Sequence, residues 1–91
     1  MSGGAELVGL ARGAGWVERG GVVYPAPLPD GPPLVLEGPA VVVWHAVVAG
    51  GTLEEVVARV ASASGESPES VAEGVGAFVD GLVAAGVLER R

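Results

Sequence analysis

The sequence predicts a small α+β protein in which a three-stranded antiparallel sheet is followed by three helices. In the N-terminal half, short β-favouring runs are separated by a glycine pair and a proline-rich turn, which is typical of strands. In the C-terminal half, three segments repeat apolar residues with helical periodicity, and each has its own start or stop signal. A chain of 91 residues is long enough for one domain with a single core.

The strands are predicted from turn chemistry. Residues 16–19 and 22–24 flank Gly20-Gly21, a pair that suits the positive φ angles of a two-residue hairpin turn. The third strand is predicted at residues 34–36. The prolines that follow the hairpin occupy alternate positions: Pro25, Pro27 and Pro29. In an extended chain their missing N–H groups all lie on one edge, so this stretch can pair fully on one side only.

The first helix is predicted over residues 39–49. Pro39 suits the first helical turn, where a missing N–H costs little, and Gly50-Gly51 supplies the left-handed residue that ends a helix. Trp44 is predicted to lie at the centre of the core. The buried stripe consists of residues at the spacing i, i+3, i+4 and i+7: Ala40, Val43, Trp44 and Val47.

Two more helices are predicted from their N-terminal caps. Thr52 and Glu55 form a capping box, in which each side chain satisfies a backbone donor of the other residue. Ser67 is the N-cap of the third helix, with Pro68 at its first position. This helix runs to about residue 85, and Gly86 closes it.

The third helix has a wider apolar face than a surface helix normally buries. Small and apolar residues cover an arc of about 200° around it, and either a tightly packed core or the wall of a ligand groove explains this width. The predicted core stripe is Val71, Val75, Phe78 and Leu82. One flank carries Ala72, Gly76, Val79 and Val83, and the other carries Gly74, Gly81 and Ala85.

Composition narrows the classes of function. The chain has no cysteine, and its five positive charges are all arginines against eleven carboxylates, for a net charge of −6. This balance disfavours nucleic acid and anionic membrane as partners. No export signal is visible, and the longest apolar run is too short to span a bilayer, so we expect a cytoplasmic protein. Residues 1–13, Gly-rich and weakly patterned, are predicted to be flexible.

The order and spacing of these elements resemble the PqqD-like family, the recognition elements that bind leader peptides of ribosomally synthesised and post-translationally modified peptides (RiPPs). The resemblance covers roughly residues 16–88. The chain has Glu37 where the family often has Asn. The matching residues are Leu36-Glu37, Ala40, Val43-Trp44, Gly50-Gly51, Leu53, Val56-Val57, Val75, Phe78, Leu82 and Gly86-Val87-Leu88.

The resemblance implies a winged-helix-like fold and a non-catalytic, cofactor-free domain over residues 14–91. A leader peptide would add as a further strand beside the third strand, in a cleft against the third helix, and would be presented to a radical-SAM enzyme, a leader peptidase or a cyclase. A short extended segment with free donors suits this mode. We therefore expect the ligand to contact the backbone of Leu34, Val35 and Leu36 and a helical wall of Ala72, Gly76, Val79 and Val83.

Three other classes of protein fit parts of the sequence. A winged-helix DNA-binding regulator would share the topology, but the third helix carries three carboxylates and no arginine or lysine. An acidic carrier protein would match the size and charge, but capping already explains Ser67. An enzyme is the least favoured class, because His45 is the only histidine and has no cysteine to pair with. No metal site or cofactor is expected.

Overall fold

The computed structural model describes residues 6–27 and 31–91 of the chain. It confirms the predicted α+β class, with three helices and small antiparallel sheets. The strands form two pairs, the first with the fourth and the second with the third. In chain order the elements are β1 (Val8–Leu10), β2 (Gly15–Arg19), β3 (Val22–Ala26), α1 (Pro39–Val48), α2 (Leu53–Ser64), α3 (Pro68–Ala84) and β4 (Leu88–Arg90).

The predicted hairpin is formed by β2 and β3. Arg19 pairs with Val22 at its closed end. Gly20 and Gly21 make the turn with φ angles of 57° and 80°, a conformation that a residue with a Cβ adopts at a cost. Val23 on the inner face is fully buried, so this face of the hairpin covers the core.

The predicted third strand is reduced to a single bridge. Val23 and Leu36 exchange two backbone hydrogen bonds, of 3.0 and 2.8 Å, and the Leu34 N–H donates to the Pro25 carbonyl at 2.7 Å. Proline has no N–H, so Pro25 cannot return a bond to Leu34, and the ladder stops there. This is the one-sided pairing that the alternating prolines predict. The three-stranded sheet is thus a hairpin with one bridged neighbour at residues 34–36.

The strand β1 differs from the sequence expectation. Residues 1–13 were expected to be flexible, yet Val8–Leu10 pairs antiparallel with β4 at the other end of the chain, and Val8 is 1% exposed. Residues 1–5 lie outside the described part. A strand this short has a weak local signal, and its stability comes from the partner strand and from the core beneath it.

The helices begin and end where the capping signals predict. Gly50 follows α1 with a φ angle of 84°. Thr52 and Glu55 form the predicted capping box, with hydrogen bonds of 2.9 and 3.1 Å. The Ser67 side chain accepts the Ser70 N–H at the start of α3. Side-chain caps therefore mark the starts of α2 and α3, whereas α1 begins at Pro39 without a side-chain cap.

The core lies between the helices, β1, β4 and the inner face of the hairpin. Trp44 is fully buried, as predicted, and Trp16 of β2 packs its ring against it edge-on with 5.6 Å between centroids. The other members of the core cluster are Val8, Val23, Ala46, Val47, Val56, Val60, Val75, Val79, Leu82, Val87 and Leu88.

Glu89 gives the β1–β4 sheet a dependence on pH. Its carboxylate accepts the Arg12 backbone N–H at 3.2 Å and the Arg91 Nε–H at 2.7 Å, and these bonds lower the pKa of Glu89. A carboxyl group with a lowered folded-state pKa stabilises the fold above its ordinary pKa, and this stabilisation is lost as the pH falls through the folded-state value.

We therefore expect Glu89→Gln to lower the free energy of unfolding at neutral pH, and we expect this difference from the native protein to shrink as the pH falls below the ordinary carboxyl pKa and through the lowered pKa of Glu89. Urea unfolding across this pH range measures the difference. Glu73→Gln on the exposed face of α3 is the matched control and should show no such convergence. A loss for Glu89→Gln that is equally large in acid would contradict this role of its charge.

Candidate functional site

An open groove of about 660 Å³ lies between α1, the end of α2 and the first half of α3. Its walls are mostly apolar, and its polar residues Ser64, Glu66 and Ser70 gather at the α2–α3 connection. The groove-lining residues that face each other across it are Pro39, Ala40 and Val43 from α1, and Val71, Gly74 and Phe78 from α3.

Some residues of the core stripes predicted on α1 and α3 are not fully buried and instead line this groove. On α1, Trp44 and Val47 are fully buried, but Ala40 and Val43 are only half-buried and line the groove. On α3, Phe78 behaves in the same way. The physical reason is that α3 packs mainly against α2 and touches α1 little, so the facing sides of α1 and α3 stay apart.

Gly74 leaves free space on the α3 side of the groove because it has no side chain. Apart from its chain neighbours and the backbone of its own helix, a Cβ built on this residue would meet no atom within 4 Å, so the position opens into free space. Glycine in a helix costs about 1 kcal/mol relative to alanine, and neither a left-handed turn nor a close contact requires it here. The residue therefore contributes room beside Phe78 and Val43 at the expense of helix stability.

The backbone of residues 34–36 offers fewer donors than the sequence predicts. The N–H groups of Leu34 and Leu36 already donate to β3, so the expectation of three free donors is wrong for these two. The Val35 N–H points to the opposite edge, and no described residue accepts it. Val35 is also 57% exposed. One outward-facing peptide group is thus available for an added strand, and it lies shortly before Pro39, which lines the groove, in the chain.

The predicted helical wall lies on a different flank of α3 from the one that lines this groove. Val79 is fully buried in the core, and Val83 is half-buried against it. Asp80 near this flank pairs with Arg90, because β4 packs along this side of the helix. The sequence did not predict β4 as a strand, and so it did not predict what covers this flank. None of the four predicted wall residues lines the groove: Ala72, Gly76, Val79 and Val83.

Among the described residues that line the groove, Glu66 is the one charged residue. Glu66 lies at its polar end, where its carboxylate accepts a hydrogen bond from the Ser70 hydroxyl at 3.2 Å. No arginine of the described part lines the groove. Arg59 is bonded to backbone carbonyls, and Arg90 and Arg91 pair with carboxylates elsewhere. The Glu66 charge therefore has no protein cation beside it in the described structure.

His45 takes part in a polar contact away from this groove. Its Nε2 lies 2.7 Å from Glu18 Oε1, and its ring lies 6.2 Å from that of Trp16, which joins β2 to α1. Within residues 6–27 and 31–91, no three His, Asp or Glu side chains are placed to hold a metal ion. The arrangement links the hairpin to the first helix.

Comparison of the chain with protein-family models, curated proteins and solved structures found no match. None of the three described helices is long and apolar enough to cross a membrane.

Proposed function

We propose that this protein is a non-catalytic binding module for the leader region of a ribosomally synthesised precursor peptide. The leader adds as a strand at Val35 and lays side chains into the groove between α1 and α3. The module then presents the bound peptide to a modifying enzyme, such as a radical-SAM enzyme, a leader peptidase or a cyclase, in the cytoplasm. The PqqD-like resemblance of the sequence gives the class of ligand.

The observation that carries this proposal is that the Val35 N–H has no acceptor among the described residues and that Val35 lies shortly before Pro39, a residue of the apolar groove, in the chain. Strand addition needs outward-facing backbone groups for affinity and pockets for alternate side chains for specificity. Val35 supplies the backbone groups, and Pro39 connects its segment to the groove. Because adjacent side chains of an added strand point to opposite faces, every second ligand residue can enter the groove.

The charge of α3 favours a peptide over DNA. A winged-helix regulator places a basic helix against phosphates, whereas α3 carries Glu69, Glu73 and Asp80 and no positive residue. Mobility-shift assays at low salt should therefore show no tight complex with duplex DNA. A tight complex that is lost as salt rises would favour the regulator instead.

Binding is tested with a synthetic leader peptide encoded beside a modifying enzyme in the same genome. Fluorescence anisotropy should show saturable binding with a Kd below about 1 mM, which corresponds to about −4 kcal/mol. If no such leader reaches this affinity, the proposed function is wrong.

Strand addition makes a sharper prediction for hydrogen exchange. In the free protein, the Leu34 and Leu36 amides should exchange slowly because they are bonded to β3, and the Val35 amide should exchange fast. Leader at about one hundred times its Kd should slow exchange at Val35 up to about one-hundredfold, if exchange occurs only from the unbound state. A bound leader that leaves the Val35 amide unprotected would rule out addition at this edge.

A further inference from the structure

The groove has a chemical polarity along its length. Its middle is apolar and has room beside Gly74, whereas its end at the α2–α3 connection carries Ser64, Glu66 and Ser70. A ligand that runs along the groove therefore meets an apolar surface first and a carboxylate at the far end.

The apolar part is shaped for a side chain larger than a methyl group. Val43 on one side and Val71 and Phe78 on the other are half-buried, so each still exposes apolar surface to the groove. The space above Gly74 lies between them. Burying a leucine-sized side chain there removes apolar surface from water on both partners.

The polar end is complementary to a cation. The Glu66 carboxylate is exposed and is bonded only to Ser70 among the described residues, so its remaining lone pairs can accept further donors. The excess of carboxylates, eleven against five arginines, adds a negative field over the whole surface. An arginine or lysine side chain at this end would be attracted, and an acidic side chain would be repelled.

We infer that the groove selects extended peptides in which a large aliphatic or aromatic residue is followed, toward the Glu66 end, by a basic residue. This inference rests on the proposed function, because it assumes that the occupant is a peptide. It adds the class of peptide: the recognised segment is apolar and cationic.

The probe is a displayed library of short random peptides, selected on the immobilised full chain. The enriched peptides should share one large apolar residue with a lysine or arginine on one side of it. One enriched peptide is then synthesised together with a twin in which the basic residue is replaced by glutamate. The twin should bind more weakly, and the difference should shrink as salt screens the charges.

Two pairs of protein variants locate the contacts. Glu66→Gln should weaken binding of the basic peptide about two- to fivefold at low salt, while Glu73→Gln, with the same charge change outside the groove, should leave it unchanged. Gly74→Leu fills the groove and should weaken binding about ten- to one-hundredfold. Gly76→Leu makes the same change on the other flank of α3, where a built Cβ also meets open space, and should bind normally.

Circular dichroism and urea unfolding must show that all four variants are folded. Leucine is a better helix former than glycine, so both leucine variants should retain α3. If a variant fails to fold, Gly74→Ala and Gly76→Ala replace the leucine pair, with a smaller expected difference of the same sign.

The outcomes separate this inference from the proposed function. Peptides that depend on Gly74 but show no basic preference overturn the cationic selectivity and leave strand addition intact. Peptides that bind normally to Gly74→Leu and poorly to Gly76→Leu overturn the choice of groove. If the library yields no binder and leader peptides also fail to bind, the proposed function itself fails.

Discussion

Trp44→Ala is expected to unfold most of the protein at physiological temperature. Trp44 is fully buried at the centre of the core, and Trp16 packs edge-on against its ring. Truncation of a buried tryptophan to alanine costs about 3–5 kcal/mol, and the whole stability of so small a domain is of the order of 5 kcal/mol. Far-ultraviolet circular dichroism and urea unfolding measure the loss directly.

Trp44→Phe is the matched control. The indole Nε1 of Trp44 is buried, and no described residue accepts its hydrogen bond. Phenylalanine removes this unsatisfied donor, worth about 1–3 kcal/mol, and leaves a smaller cavity than alanine. The two effects oppose each other, so the variant should stay within about 1 kcal/mol of the native protein. A loss as large as that of Trp44→Ala would show that the indole N–H is well satisfied and needed.

The helices could be predicted from sequence because their boundaries are set by local chemistry. The Thr52 capping box, the Ser67 cap and the glycines after α1 and α3 act over three or four residues, so a short window contains the whole signal. The hairpin around Gly20-Gly21 is local for the same reason. These elements are confirmed within about two residues at each end, the usual uncertainty of element boundaries.

The β1–β4 pair could not be predicted because its partners lie at opposite ends of the chain. Val8 pairs with Arg90, and the sequence around either residue gives no signal that the two segments pair with each other. Pairing over such a separation is stabilised by the completed core and not by local propensity. The sequence therefore predicts a flexible Gly-rich start and a short C-terminal segment, whereas in the structure these two segments form a two-stranded sheet.

Only part of the candidate site could be predicted, because the rest also depends on contacts between segments that are distant in the sequence. The width of the apolar arc on α3 was compatible with either a packed core or a groove wall, and which flank of α3 lies against another element depends on contacts that are distant in the sequence. β4 covers the side of Val83, which leaves the side of Gly74 and Phe78 to face α1. Backbone N–H groups alternate in direction along an extended chain. The N–H groups of Leu34 and Leu36 therefore donate to β3, and only that of Val35 faces away.

Arg59→Met is expected to lower the free energy of unfolding by about 2–4 kcal/mol. Hydrogen bonds to charged groups contribute about 1.5–3 kcal/mol each, and the two bonds lost here share one donor atom, so their contributions do not simply add. From α2, the half-buried Arg59 donates through Nη1 to the carbonyls of Ala46 and Gly50, at 2.8 and 2.6 Å. Both carbonyls lie at the C-terminal end of α1, where a positive charge also favours the helix dipole. Methionine keeps the apolar stem but leaves both acceptors unpaired.

Two variants separate the geometry of Arg59 from its charge. Arg59→Lys keeps the positive charge but not the planar donor group, so it should recover only part of the loss. Arg12→Met removes an exposed arginine and should change stability by less than about 0.5 kcal/mol. Urea unfolding of all three proteins gives the comparison. If Arg59→Met were as stable as Arg12→Met, the bonds to Ala46 and Gly50 would contribute nothing, and the position of α1 beside the groove would have to depend on Trp44 and its apolar neighbours alone.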